Sequence, residues 1–140
     1  MERKLTLPND IETIPQMSEF VEIACEEAGF DMSTTMSLNL AIEEAVVNVM
    51  SYAYPEGEAG TVDIEAVTDE SGITFRIIDS GIPFDPTTKG EVDTTLSAEE
   101  RSIGGLGIHL VRQIMDSIAY QREGDRNILT LQKQLHAGDI

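Results

Sequence analysis

The 140-residue chain has one cysteine, no tryptophan, two histidines and nine basic residues against 26 acidic ones. A lone Cys25 excludes an internal disulfide framework and fits a reducing compartment, which points to the cytoplasm. It lies in an apolar helical stretch and reads as core. His109 and His136 form no His-Glu-x-x-His pattern, and no Cys-x-x-Cys exists, so zinc chemistry has no signature. His109, beside Leu110, reads as a packed or capping residue. No apolar run approaches the ~18 residues that a bilayer span needs. Met1-Glu2-Arg3-Lys4-Leu5 lacks the apolar stretch of a signal peptide. A formal net charge of −17 would repel a phosphate backbone, which excludes nucleic acid as a partner class.

What is present suffices for one domain, residues 1–140, with 41% hydrophobic residues to build its core. The charge is uneven: residues 1–100 carry four basic and 22 acidic side chains, residues 101–140 five and four. An anionic ligand would therefore find its most favourable ground near Arg101 and Arg112, although a solvated acidic surface alone also accounts for the imbalance.

Leu5-Thr6-Leu7 alternates as a strand before Pro8. Asn9 or Asp10 can cap a helix through Ile14, Met17, Phe20, Val21 and Ala24 that stops at Gly29. Ser33 can cap a second helix, from about Thr34 to Tyr54, ending before Pro55. Alternation at Val62, Ile64 and Ala66, the turn Asp69-Glu70-Ser71-Gly72, and the run Ile73 to Asp79 predict a hairpin. Residues 80–103 lack periodicity and carry Gly81, Pro83, Pro86 and Gly90, as a functional loop or lid does. A helix from Ile108 to Met115 and strands Ile118–Arg122 and Ile128–Lys133 close the chain. The order β-α-α-β-β-lid-α-β-β argues for a layered α+β sandwich and against a doubly wound sheet.

Three segments could carry chemistry. In the second helix, Leu38, Ile42, Ala45 and Val49 form an apolar stripe, and Leu40 and Val47 make the opposite side apolar, so the helix is expected to be buried. Glu44 and Asn48 stand one turn apart at the border of the stripe, with Ser37 and Ala41 on the same strip. They are either an ordinary ion pair or hydrogen bond, or a base beside a hard-metal ligand. Asp79 shares strand parity with Ile73, Phe75 and Ile77, so its carboxylate points into the helix-covered layer. There it either caps its own Asp-Ser-Gly turn or accepts from an exocyclic amine such as that of adenine. Gly104-Gly105-Leu106-Gly107, opening a helix just after Arg101, is either a hinge or a cradle for phosphate on backbone N–H groups. It is no P-loop, since Gly-x-x-x-x-Gly-Lys is absent, and no strand precedes it as in a dinucleotide fingerprint.

Together and in this order, Glu44-Ala-Val-Val-Asn48, Asp79-Ser-Gly81-Ile-Pro-Phe-Asp85 and Gly104-Gly-Leu-Gly107 resemble the N box and the two glycine boxes of the GHKL ATPase and kinase superfamily. The likeness spans essentially the whole chain. Asp-Ser-Gly-Ile-Pro-Phe-Asp and Glu99-Glu100-Arg101-Ser102 resemble the bacterial anti-sigma factor serine kinases of the stress-response and sporulation type. The resemblance implies a Bergerat fold: a two-layer α/β sandwich with a mixed, mostly antiparallel sheet, helices on one face, and an ATP lid over about residues 82–103.

It further implies ATP and Mg²⁺ as cofactors, with Glu44 as general base and Asn48 as magnesium ligand. Asp79 would read the adenine amino group, and Gly81 would open the base pocket. Arg101, Gly104, Gly105, Leu106 and Gly107 would hold phosphates. Magnesium suits a chain of charge −17 that must accept a polyanion. The implied activity is transfer of the γ-phosphoryl group to a serine of a small STAS-type antagonist protein, with a sigma factor as second partner and a homodimer as the assembly. A nucleotide-gated switch without transfer is the alternative, and retention of Glu44 beside Asn48 favours the enzyme. A detached sensor histidine kinase domain is disfavoured because the chain starts at its first strand, without a helix bearing a phospho-acceptor histidine. Two departures stand out. Pro83 takes the place of the second glycine of the first glycine box, and Arg126-Asn127-Ile128 that of a closing Gly-Thr-Thr, so no adenine contact is carried over there.

Overall fold

Two helix starts show how local chemistry shapes the helical layer. Asp10 accepts from Glu12 N–H at 3.0 Å and opens a short 3-10 turn, Ile11–Thr13, that runs into α1 (Ile14–Ala28). Pro15 sits in the first turn of α1, where its missing N–H costs no hydrogen bond. Gly29 ends α1 at φ 96°, and the N–H groups of Gly29 and Phe30 turn back onto the Glu26 and Cys25 carbonyls. The next helix, α2 (Met32–Tyr52), begins two residues earlier than the sequence suggests. Asp31, not Ser33, is the cap: its Oδ1 takes the Thr34 N–H at 2.7 Å. The helix stops at Tyr52, not Tyr54.

The computed structural model describes residues 2–54, 59–89 and 105–135. Its strands are β1 (Glu2–Pro8), β2 (Thr61–Asp69), β3 (Gly72–Asp79), β4 (Ser117–Glu123) and β5 (Arg126–Gln134), in the sheet order β1-β2-β3-β5-β4. Every pairing among these strands is antiparallel, so the two-layer sandwich expected from the resemblance is present and its mostly antiparallel sheet has no parallel pair among the described strands. β3 occupies the centre and receives β5 on its far side, in a register that sets Asp79 opposite Asn127. Gly124, at φ 61°, makes the tight turn between β4 and β5.

One face of the sheet carries the core. Ile73, Phe75 and Ile77 of β3, Val62 and Ile64 of β2, and Leu129 and Leu131 of β5 are at most 2% exposed. They pack beneath Met17 and Val21 of α1, Leu38, Ile42 and Val49 of α2, and Ile108 and Val111 of α3 (Gly105–Ile114). Each such side chain contributes roughly 1.5–3 kcal/mol by leaving water. The opposite face is polar at the ion pair Arg76–Glu65, directly paired across β3 and β2 at 3.1 Å, and at Thr6, whose hydroxyl donates to Asp63. This is the half-solvated pattern of an antiparallel sheet.

Two expectations for the helices need correction. α2 is not buried all round: Met32, Met36 and Leu40, spaced four apart, line its outer side and are exposed. The fully buried side belongs to the stripe from Leu38 to Val49, because α2 packs between α1 and α3 and only its inner side meets the sheet. α3 begins at Gly105, three residues before the expected Ile108, so Gly105 and Gly107 fall inside its first two turns. His109 on this helix is exposed. No described helix is long and apolar enough to cross a membrane. The expected lid overlaps the described residues only as far as Lys89, which closes a 3-10 turn, Pro86–Lys89; its remainder lies outside them.

Candidate nucleotide site

The C-terminal half of α2 carries Glu44 and Asn48. Asn48 is 5% exposed, and its Nδ2 donates to the Glu44 backbone carbonyl at 2.8 Å, one turn back. The amide nitrogen is thereby used, and Oδ1 is the atom left to accept a donor or ligate a cation. The Glu44 side chain is half-buried at the rim of the same stripe. No described group of three or more His, Cys, Asp or Glu is arranged for a metal. Magnesium brought by phosphates needs only one or two protein oxygens, so Asn48 fits that more modest role.

The end of β3 is clamped onto the end of α2. Ile82 N–H donates to the Ala53 carbonyl at 2.7 Å, and Ser80 N–H donates to the Tyr54 hydroxyl at 3.0 Å. That hydroxyl in turn donates to the Thr61 carbonyl at 2.6 Å. A Cβ on Gly81 would lie 2.1 Å from the Ala53 carbonyl oxygen. Glycine is thus required at 81 by contact with backbone, whatever else passes nearby. The ring of Tyr52, one turn beyond Asn48, lies 5.5 Å from that of Phe84 and tilted by 32°. These contacts bring the turn after β3 to the same end of the helical layer as Asn48.

Asp79 is 2% exposed, and its two oxygens stand in different surroundings. Its Oδ1 accepts from Gly81 N–H at 2.8 Å, which is the ordinary turn cap, and from Asn127 Nδ2 at 2.8 Å. Its Oδ2 is buried and has no hydrogen-bond partner among the described residues. An orphaned carboxylate oxygen is costly and fits an absent donor. Burial raises the affinity of this carboxyl for its proton; the Asn127 and Gly81 hydrogen bonds and the charge of Arg122 act against it. Arg122 also donates from Nη1 to the Gly81 carbonyl at 2.9 Å, tying β4 to the turn.

The remaining expected phosphate residues are placed only in part. Gly105, Leu106 and Gly107 open α3, which packs against α2, whereas Arg101 and Gly104 lie outside the described residues. Arg112 does not stand free for an anion: its Nη2 donates to the Thr87 carbonyl and holds the 3-10 turn. Two surface clefts of about 510 and 540 Å³ are lined respectively by residues including Tyr54, Thr61, Ser80 and Arg122, and by Glu22, Phe30, Met32 and Met36. The first of these adjoins the turn after Asp79, through Ser80 and Gly81; neither is lined by Glu44, Asn48 or Asp79 itself.

Sequence reasoning missed Tyr54, Arg122 and above all Asn127. A signal existed for the last. Asn127 shares strand parity with Leu129 and Leu131, so an amide was bound to face the core, by the argument that oriented Asp79.

Residues 7–133 match the model of the histidine kinase-like ATPase domain, and the chain belongs to that family, within the GHKL superfamily. Its curated relatives narrow the branch. A serine-protein kinase RsbW of Listeria monocytogenes is 30% identical over 93% of this chain and 87% of its own length. The serine/threonine-protein kinase BtrW of Bordetella bronchiseptica is 30% identical over 68% of this chain and 67% of its own. The crystal structure of the RsbU and RsbW domains of Rv1364c from Mycobacterium tuberculosis superposes with a TM-score of 0.66, at 15% identity, over 96% of this chain and 32% of that one. The fold is therefore shared with that structure, and the chain is a homologue of the RsbW-type anti-sigma factor serine-protein kinases.

Proposed function

We propose that this chain is an ATP- and magnesium-dependent protein kinase that phosphorylates a serine of a small antagonist protein and also binds a sigma factor. The carrying observation is the buried Asp79 Oδ2, without a partner among the described residues, beside a turn clamped to the helix that bears Glu44 and Asn48. An oxygen that only accepts, enclosed in an apolar layer, suits an exocyclic amine.

Bound Mg-ATP would supply the transferable phosphoryl group and the cation that offsets its charge. The chain's residues have separable tasks. Asp79 orients the base. Asn48 offers Oδ1 to the cation because its nitrogen is tied to Glu44 O. Glu44 takes the proton of the acceptor hydroxyl as the seryl oxygen bonds to the γ-phosphorus and the bond to ADP breaks. Backbone N–H groups at the start of α3, with Arg101 and Gly104 just upstream, meet the phosphates. The relatives named serine-protein kinases support transfer over mere binding, as does the pairing of a carboxylate with Asn48. The homodimer and both protein partners rest on this family membership.

The test is incubation with labelled ATP and magnesium, alone and with candidate antagonist proteins of the same genome. Label on a partner serine, absent with Glu44→Ala, supports the kinase. Tight ATP binding without transfer to any of them leaves a nucleotide-gated switch.

A further inference from the structure

Asn127 lies 48 residues from Asp79 in sequence and directly opposite it across β3 and β5. It is 2% exposed, and its whole amide is committed to protein. Nδ2 donates to Asp79 Oδ1 at 2.8 Å and to the Ile82 carbonyl at 2.7 Å. Oδ1 accepts from Phe84 N–H at 3.1 Å and from the Tyr120 hydroxyl at 2.5 Å. The partners fix which way round the amide sits. A backbone N–H can only donate and a carbonyl can only accept, so oxygen faces Phe84 and nitrogen faces Asp79 and Ile82. With two donors and two acceptor positions used, Asn127 has nothing left with which to touch a ligand.

We propose that Asn127 is the positioning residue for base specificity: it occupies Asp79 Oδ1 and holds Asp79 as an acceptor-only carboxylate, so that Oδ2 takes a 6-amino purine and rejects a 6-oxo one. This rests on the nucleotide reading above. An ionised carboxylate repels a 6-oxo group, whereas a protonated one could donate to it. Burial favours the protonated form, and Asn127 heads the interactions that oppose this, ahead of Gly81 N–H and Arg122. Among the described residues, three elements bring groups to Asp79. β4 contributes Arg122 and Tyr120, the segment just after α2 contributes Tyr54, and β2 places apolar Val62 opposite it. Asp63, the next residue of β2, acts on Tyr54. Asp85 likewise acts on Tyr120, and burial raises both tyrosines above their ordinary value, so they stay neutral on the acid side.

Calorimetric affinities for Mg-ATP and Mg-ITP, measured between about pH 5 and 8, test this on the wild type, Asn127→Leu and Tyr120→Phe, with circular dichroism reporting the fold. Asn127→Leu should lower the ATP-over-ITP preference by about tenfold or more and move its acid-side collapse to higher pH. Tyr120→Phe leaves Phe84 N–H on Oδ1 and should shift both in the same direction by less. A folded Asn127→Leu with unchanged preference and pH profile overturns the proposal. If that variant does not fold, Tyr120→Phe decides, and an unaltered preference and profile there overturn it equally. A wild type that binds neither nucleotide at millimolar concentration removes the nucleotide reading itself, and this inference with it.

Discussion

Asp79 and Asn127, each 2% exposed, meet across β3 and β5 through one hydrogen bond of 2.8 Å, and the second oxygen of Asp79 has no partner among the described residues. The pair joins fold to site. The same antiparallel register that aligns Phe75 with Leu131 and Ile77 with Leu129 in the core sets an amide against a carboxylate at the end of the strand. The core thus aims the atom proposed to read the base.

Replacing the carboxylate by an amide should therefore weaken base recognition. A hydrogen bond to a charged acceptor is worth about 1.5–3 kcal/mol, or roughly ten- to 150-fold in affinity. Asp79→Asn is expected to lose ATP affinity in that range and to discriminate poorly between ATP and GTP. Competition calorimetry with the two nucleotides measures both; undiminished discrimination would remove Asp79 as the base reader.

The same residue has a stability signature in the ligand-free protein. Its folded pKa lies above the unfolded one, so the folded state binds more protons. Its contribution is consequently fully present below the ordinary carboxylate range and is lost as pH rises through the raised folded value. The difference in unfolding free energy between wild type and Asp79→Asn should change in that window and level off above it. Urea melts at a series of pH values would show it, and a pH-independent difference would contradict the buried, proton-favouring environment.

Much of this was legible because it is local. Parity along Phe75, Ile77 and Asp79 turned the carboxylate inward, the Asp69–Gly72 turn marked the hairpin, and Gly29 marked the end of α1. Where the sequence misled, two local solutions competed or the answer was non-local. Asp31 and Ser33 are both competent caps, and packing of Phe30, 6% exposed, accompanies the earlier start. Leu40 looked like core because helical spacing does not say which neighbours α2 will have. Asn127 was passed over because its partners, Asp79, Ile82 and Phe84, lie more than 40 residues away. The glycines at 105 and 107 set the expected helix start at Ile108, yet a first helical turn tolerates them.

Glu44 and Asn48 should separate by function although they share one turn. Asn48→Ala removes the oxygen proposed to meet the cation and is expected to abolish Mg-ATP binding. Glu44→Ala leaves Asn48 Nδ2 its backbone acceptor, since the bond is to the Glu44 carbonyl and not to its side chain. Binding should persist while transfer falls by about 10²–10⁴, the usual contribution of a positioned base. Calorimetry and single-turnover transfer distinguish them; the opposite pattern would reverse the roles.

Gly81 tests the clamp. Its Cβ would lie 2.1 Å from a carbonyl oxygen that belongs to backbone and has little freedom to move. Gly81→Ala must push the turn off Ala53, stretching the 2.7 Å bond from Ile82 N–H. Overpacking and a weakened buried bond together suggest a loss of about 2–4 kcal/mol. ATP affinity should fall with it, because Asp79 Oδ1 is fixed by Gly81 N–H. Denaturant melts and nucleotide titration on the same variant check the coupling; a fully stable variant would mean that the clamp is dispensable.

Cys25 offers a reporter of how the helical layer opens. Its thiol is wholly buried in α1, and burial, aided by the neighbouring charge of Glu26, pushes its pKa to about 12. Only the thiolate reacts readily, so the native thiol is doubly protected, by access and by protonation. Alkylation near pH 8 should be slower than for an exposed thiol by orders of magnitude and should proceed through opening of α1. Labelling that accelerates in parallel with denaturant-induced unfolding would place α1 in the cooperative core. Fast labelling of the native protein would instead show α1 detaching from α2 and the sheet while the rest holds, a motion that the packing of Met17, Val21 and Ala24, each fully buried beside Cys25, argues against.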